Sequence, residues 1–515
     1  MLSKIRVNHL IRSTTILMVA FLATKIVGFG RQIVIARAFG TGAEYDAYVA
    51  AFRLPDILFL LISGGALGTA FIPILSERLT RRPETDPDGW RLTSGVLNTL
   101  LLVVTAIAIL MALLANPLVE WVVAPGFSPD TQALTANLMR LTLISTIIFS
   151  VSSLLGAVLN TRQHFVLPAI APLIYNVGIM AGAIFLVPIF GVYGLIWGAI
   201  LGSLGHLLIQ VPGLLRYGLR YQPILAWDDH ELWHIARLMG PRVLNIVVIQ
   251  INFVVMFNLA SRLNEGTVSA LDYGWDLMQM PQTIIGSAIG IVLFPTLSEL
   301  AAKGDIATLR HTLAQTLRII LALTIPAMVG LIVLGRPLIQ VMLERGEFGP
   351  DSTAAVYQSL QFWALALIAH SALEVVNRVF YAQKDTVTPF LSSVVSMVIN
   401  LGLALLLYRR LAAGGLALSN GVAVTVEVII MLVIAHYRLN GVEAGAILKT
   451  LLLTLLAAGA MGLVIMAFTT FAPNLSPPLI AAVGGLLGLV TYLVVGLVVG
   501  VKEIRLLPRL VGRGV

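Results

Sequence analysis

Cysteine is absent from all 515 residues, which excludes disulfides and every thiolate metal site. Charge is almost as scarce. Only 11% of the residues are Asp, Glu, Lys or Arg, where a soluble domain has roughly a quarter. A chain so poor in charge cannot cover itself with water-facing groups. What fills the gap is 58% hydrophobic residues, at a mean hydropathy of +0.94. Apolar runs recur from end to end, so most of this protein has lipid for solvent.

A helix needs about 20 mostly apolar residues to cross the hydrocarbon core. Runs and breakers predict 14 spans, at 12–37, 46–75, 92–115, 134–160, 167–187, 191–215, 234–262, 270–300, 311–335, 354–382, 386–408, 412–437, 446–470 and 477–500. Lys4, Arg6 and Arg12 before an apolar run imitate a signal peptide. The run continues through Lys25 and Arg31 to Phe39 with no clear cleavage site, which suits a first span better. Most of the 33 Lys and Arg residues fall at one set of span ends, among them Arg78, Arg91, Arg162, Arg237, Lys384 and Arg438. The positive-inside bias then places both termini in the cytoplasm. The formal charge of +8 suits an anionic leaflet or a path for an anionic substrate.

Two parts of the chain repeat. "FIPILSERL" from Phe71 resembles "LFPTLSEL" from Leu293, and "FSPDT" from Phe127 resembles "FGPDS" from Phe348. Pro73 pairs with Pro295, Glu77 with Glu299, Pro117 with Pro337, Pro168 with Pro389 and Gly194 with Gly415, all at nearly one offset. Each pair falls at the same point of a six-span unit. Six is even, so the units run parallel. The expected fold is an all-α polytopic membrane protein. It has an N-lobe (1–220, spans 1–6), a C-lobe (221–440, spans 7–12) around a central cavity, and two extra helices with a tail (441–515).

Ionisable groups inside spans are costly and by default face a cavity or a partner. The first span carries Lys25 and Arg31, roughly 120° apart on an ideal helix; Gly28 and Gly30 are expected to bend it and bring both to one cavity. The second carries Asp46, Arg53 and Asp56, with Arg53 and Asp56 close enough to neutralise each other. Arg242 follows Pro241 in the seventh span, Asp272 and Asp276 lie in the eighth, Glu374 and Arg378 in the tenth, Glu427 in the twelfth. Guanidinium groups bind phosphate oxygens bidentately, so the cationic cluster suits a phosphate-bearing substrate. The GxxxG pairs Gly64–Gly68, Gly198–Gly202, Gly286–Gly290 and Gly484–Gly488 indicate close helix packing. "DPD" from Asp86 reads as a turn.

"HELWH", His230 to His234, matches the zinc-protease pattern H-E-x-x-H. Its position argues against that chemistry, because the downstream acids Glu265 and Asp272 lie a whole span away, and His311 is the only ligand left on the same side. Asp228 followed by Glu231 resembles a capping box, and Trp227 and Trp233 suit the interface. The stretch is expected to be the capped entry to the seventh span, joining the lobes.

"GFGRQIVIARAFGTGAEYDAYVAAFRLPD", "APGF" at 124–127, "GAVLNT" at 156–161 followed by "PAIAP", "LMGPRVL" at 238–244 and "FYAQKDTVTP" at 380–389 resemble the MurJ (MviN) lipid II flippase family. That family belongs to the multidrug/oligosaccharidyl-lipid/polysaccharide exporter superfamily. The resemblance implies a bacterial inner-membrane transporter, not an enzyme, that moves the undecaprenyl-pyrophosphate-linked peptidoglycan precursor to the outer leaflet by alternating access. It implies a cationic cavity for the head and a groove at the last two helices for the tail. The family's first-helix arginine matches Arg31 and its helix-two acid Asp46, with Lys25 a second basic position; Arg53 and Arg242 are the candidate substitutes for its other arginines, and with Asp276 these complete the expected substrate-binding set. The family's helix-two arginine falls at Phe59 and its helix-eight arginine at or beside Asp276, a reversal of charge. The acidic helix-eleven ligands of the sodium site in some members have no counterpart beyond Asp385. No metal or cofactor is expected; coupling would use membrane potential or an ion gradient. Expected partners are lipid II or a similar glycan lipid, anionic membrane lipids and other cell-wall synthesis proteins, with no nucleic acid, the chain acting as a monomer. A related exporter of another polyprenyl-linked glycan or drug, or a silent cell-wall scaffold, are the alternatives.

Overall fold

A computed structural model describes residues 20, 23–62, 66–81, 89–472 and 474–506, and every regular element among them is helical. The chain divides into two compact units, Met1–Arg262 and Leu263–Val515. The first holds α1 (23–39), α2 (Ala43–Ile62), α3 (Ala66–Arg81), α4 (Trp90–Leu113), α5 (Pro129–Thr161), α6 (Val166–Phe190), α7 (Tyr193–Arg216) and α8 (His230–Ala260). The second holds α9 (Thr267–Lys303), α10 (Ile306–Met342), α11 (Pro350–Ala382), α12 (Val387–Arg438), α13 (Ala444–Phe471) and α14 (Pro477–Val499).

Ten of these, α4 to α7 and α9 to α14, are long and apolar enough to cross a membrane. Their outer faces carry bare hydrocarbon such as Leu110, Ile291, Leu406 and Val498, as lipid contact requires. The protein is a multi-pass membrane protein. The predicted second span is shared by α2 and α3. The predicted eleventh and twelfth spans both fall in α12, 52 residues long, whose backbone leaves helical geometry at Ala412 (φ 47°, ψ −131°).

At Ala412 the chain doubles back. A Cβ on Gly415 would stand 2.5 Å from the carbonyl oxygen of Leu407, although eight residues of straight helix span about 12 Å. The two ends of α12 meet as well: Arg438 bonds Asp385 and Thr388. The first unit makes the same turn at Gly191 (φ 57°, ψ −142°) between α6 and α7, where Gly194 presses on Leu186. Each of these positions is 221 residues before its partner in the second unit.

The duplication read from the sequence is thus present in the backbone. α5 and α11 are both 33 residues long. Each ends in a positive-φ residue, Gln163 or Lys384, both at 60°. Each is closed by an equivalent bond, His164 N–H to Leu159 or Asp385 N–H to Phe380, both 2.9 Å. The cores match too. Leu154, Leu155, Val158 and Leu159 are buried in the first unit as Val375, Val376, Val379 and Phe380 are in the second.

Lipid gives no hydrophobic drive for helices to associate, so close backbone approach matters more. Gly178 lies against Gly202, and Gly182 against Gly198, near enough that a Cβ on Gly178 would stand 2.3 Å from Gly202 Cα. This fulfils the GxxxG expectation for α7; residue 64 lies outside the described residues.

The repeat boundary near residue 220 and the packing boundary at Arg262 differ because α8 is fastened to the first unit at both ends. The connector before it lies along α4, where Asn98 Nδ2 donates to the carbonyls of Gln222 and Ile224 and Ala226 fills the space over Gly95. Arg78 of α3 grips Asp229 and Glu231. At the far end Asn258 donates to the Val122 carbonyl at 2.8 Å, and Gly126 N–H to Ser261 Oγ.

Two predictions follow from the doubled helix. Ala412→Gly should raise the melting midpoint in detergent, since a strained φ costs about 1–3 kcal/mol and glycine relieves it; Gly415→Ala should lower it. Asp385 accepts bonds from Val387 N–H, Thr388 N–H and the Thr388 hydroxyl, and pairs with Arg438. Partial burial opposes its charge, and these donors outweigh that, holding its pKa down at about 2, below the usual value of about 3.9. The folded pKa is depressed, so the stability it supplies is full above about pH 4 and is lost as pH falls through 2. Asp385→Asn should therefore be less stable than wild type at neutral pH, and a pH series of melting midpoints should show the difference closing in acid.

Candidate functional site

Cationic and aromatic groups gather where α1 turns into α2. α1 ends at Gly40 (φ 56°), and the Gly42 carbonyl accepts from Tyr45 and Asp46 N–H to start α2. Asp46 is 1% exposed in that first turn, where a carboxylate favours the helix dipole. Gln32 of α1 donates to the Tyr45 hydroxyl at 3.0 Å. One turn on, Tyr48 packs against Tyr45 and Phe52. The Arg53 guanidinium lies 3.6 Å from the centre of the Phe257 ring of α8, a cation–π contact.

Arg31 is half-buried and Lys25 exposed on α1. The helix is continuous through Gly28 and Gly30. Gly28 leaves room for Asn176, 3.6 Å from where its Cβ would be. Arg31, Tyr48 and Asp56 lie within electrostatic reach of Tyr175 on α6. The side chain of Arg242 lies outside the described residues. Asp276, on α9, is half-buried in the second unit.

Tyr175 opens onto a cavity of about 400 Å³ in the first unit, lined also by Phe59, Phe149, Ser152, Ser153, Asn160, Asn176, His206 and Gln210. Its aromatic wall is Phe59, Phe149, Tyr175 and His206, with Phe149 central at 4.6 to 5.6 Å from the others. Phe59, where the family resemblance expects an arginine, is part of that wall. Ser152 Oγ joins His206 Nδ1 and Gln210 Nε2, both at 2.7 Å. The arrangement is neutral and polar on one side and aromatic on the other, with Arg31 beside it. Faces of this kind accept sugar rings and amides. Tyr175, His206, Ser152 and Gln210 are not found by a search for charges inside spans; the lone His in the apolar run from Ile196 to Ile209 is the signal that the sequence offers.

The second unit has a cavity of about 330 Å³ at equivalent positions, lined by Gln282, Phe294, His370, Glu374, Asn377, Arg378 and Tyr381. His370 stands where Phe149 does, Glu374 where Ser153 does and Arg378 where Ala157 does. The expected Glu374–Arg378 pair is formed at 2.7 Å. A third, apolar hollow of about 730 Å³ lies between α2, α4 and α8, walled by residues such as Leu54, Leu61, Val103, Ile107 and Met239. Its walls suit hydrocarbon.

HELWH is an anchored cap. The N-cap of α8 is Asp229, not Asp228 as the spacing suggested; its side chain accepts from Glu231 N–H at 3.0 Å. Asp228 reaches Arg91 instead. Glu231, the general base of the protease pattern, bonds Arg78 at 2.8 Å. Both histidines face outward.

Residues 35–509 match the family described as lipid II flippase MurJ. A probable lipid II flippase MurJ of Rhizobium tropici is 30% identical over 455 residues, covering 87% of this chain and 84% of the relative. The lipid II flippase MurJ of Burkholderia cenocepacia is 29% identical over 409 residues, 78% and 79% of the two chains. A solved lipid II flippase MurJ in an inward closed conformation superposes with a TM-score of 0.78 at 25% identity, over 93% of this chain and 97% of that one. An inward-facing multidrug transporter of the MATE family gives 0.67 at 15% identity over 82% and 95%, a likeness of fold.

Arg78 is 6% exposed between two carboxylates. Arg78→Leu leaves both unpaired in a half-buried site. It should cost about 3 kcal/mol and free the entry of α8, read as faster amide exchange over residues 226–236.

Proposed function

The chain belongs to the lipid II flippase MurJ family, and from that premise we propose that it carries lipid II across the bacterial cytoplasmic membrane. The observation that carries the reading is that the family match runs through both units, from α1 to the end of the described chain. The chemistry of the first unit supports it. Lipid II joins a polyprenyl chain to a pyrophosphate, two sugars and a peptide. A pyrophosphate at membrane depth needs cations held out of water, and Arg31 and Arg53 are half-buried there. Arg53 lies over the Phe257 ring, and a guanidinium at that depth suits phosphate oxygens. The cavity of Tyr175, Asn176 and His206 offers ring faces and amide donors to a sugar. The apolar hollow between α2, α4 and α8, and the apolar outer faces of α13 and α14, offer surfaces for the chain.

No bond is made or broken, so no catalytic residue is assigned. Transport proceeds by alternating access, drawing on the membrane potential or an ion gradient, with both termini in the cytoplasm and the protein acting as a monomer among anionic lipids and other proteins of wall synthesis. Phe59 and Asp276 replace cations that the family uses. This favours a second reading, a related polyprenyl-linked glycan with fewer anionic groups.

Complementation tests the function. Cells depleted of their own lipid II flippase should survive on this protein. Arg31→Ala should abolish rescue at equal membrane expression, and purified Arg31→Ala should bind lipid II about 100-fold more weakly, the worth of one charge-assisted pair of about 3 kcal/mol. Normal growth on Arg31→Ala would remove Arg31 from the site.

A further inference from the structure

The duplication puts two different titratable residues at one position. His206 on α7 follows the Gly191 turn by as many residues as Glu427 on α12 follows the Ala412 turn, so the two are equivalent. In the first unit the position is satisfied. Ser152 bonds His206, and Gln210 bonds Ser152. In the second unit the counterparts of Ser152 and Gln210 are Leu373 and Met431, and neither can bond a carboxyl.

Glu427 is 6% exposed. Among the described residues no cation forms an ion pair with it, while Glu374, one helix away, has Arg378 at 2.7 Å. The Ser396 hydroxyl faces it from the first arm of α12. From α11, Tyr381 lies within electrostatic reach of both Glu427 and Glu374, Glu374 is paired with Arg378, and His370 is bonded to Asn420 at 3.0 Å. α9 brings Gln282 to the neighbouring cavity, with Asp272 and Asp276 farther along. Its own arm carries His436 and Arg438 toward the end, where Arg438 is taken by Asp385.

We propose that Glu427 is a proton-binding site, the group through which the second unit takes up a proton from one aqueous face and returns it to the other. A carboxylate oxygen gains the proton and becomes a hydroxyl that donates to Ser396 Oγ. On release the Ser396 hydroxyl turns and donates to the carboxylate. A hydroxyl serves both states because it is donor and acceptor. The ligand is a proton and not a metal cation. A hard cation needs several oxygen ligands, and among the described residues no group of three acids or histidines converges. A neutral Glu427 crosses hydrocarbon-packed surroundings at little cost and an ionised one does not, so occupancy by the proton can bias one arrangement of the α12 hairpin over another.

The role in transport rests on the flippase reading; proton binding does not. Infrared difference spectra of the purified protein in lipid bilayers, stepped through pH, read the carbonyl stretch of a protonated carboxylic acid. The band should titrate in wild type, vanish in Glu427→Gln, shift its midpoint in Glu427→Asp, and persist in Glu299→Gln, an exposed control. A band that survives Glu427→Gln, or none in wild type, overturns the site. In vesicles free of sodium, a pH gradient should speed wild-type transport of a fluorescent lipid II about tenfold, and Glu427→Gln should lose that acceleration. Acceleration retained in Glu427→Gln, or obtained only with a sodium gradient, overturns the coupling role. If the band titrates through Glu427 and wild-type vesicles move no lipid II, the flippase reading falls and the proton site stands.

Discussion

A charge drawn out of water must be paired, stacked or neutralised, and that requirement recurs through this protein. Within the spans, helix formation satisfies the backbone's polar groups; the side chains need individual solutions. Arg78 is held between Asp229 and Glu231, Arg318 by Glu503, Arg438 by Asp385, and Arg53 by the face of Phe257. These contacts also fasten the architecture. The first ties α8 to α3, the second ties the segment after α14 to α10, and the third closes the α12 hairpin. A charge that must find a partner thus doubles as a clamp, and a buried clamp that loses one member leaves the other stranded at several kcal/mol.

The duplication shows the same constraint under divergence. The backbone of the two units has been kept down to single turns, as Gly191 and Ala412 show, although alanine adopts that geometry against its preference. What differs is cargo. One cavity holds Phe149, Ser153 and Ala157; its equivalent holds His370, Glu374 and Arg378. Introducing Arg378 required a partner one turn away, Glu374, and space, which Gly290 gives: a Cβ there would stand 2.2 Å from the guanidinium. The guanidinium of the second unit thus has both its neutralising partner and its room.

Much of this was legible in the sequence, because hydrophobic length, breakers and repeated Pro and Gly landmarks are local signals. The span pattern, the offset that aligns Gly194 with Gly415, and the Glu374–Arg378 pair are of that kind. Three features were not legible. The cap at Asp229 differs from the spacing's choice by one residue, since Asp228 is drawn away by Arg91, far along the chain. Gly28 of α1 faces Asn176 of α6, a neighbour that no periodicity reveals. The cavity of Tyr175 and His206 was missed because neutral polar residues in an apolar run look like filler until three helices bring them together.

HELWH marks where sequence and packing part company. The repeat places it at the start of the second half, which makes it an attractive joint between halves. The contacts say otherwise. The connector is bonded along α4, its cap is clamped by Arg78, and α8 is fastened again at Asn258 and Ser261. A segment held at both ends moves with what holds it, and these bonds run as far as Ser261. There the chain runs through Arg262 and Asn264 to Gly266 at φ 84° before α9 begins. The Gly266 carbonyl accepts from Ala270 N–H at 2.9 Å, so this turn is tied into the first turn of α9.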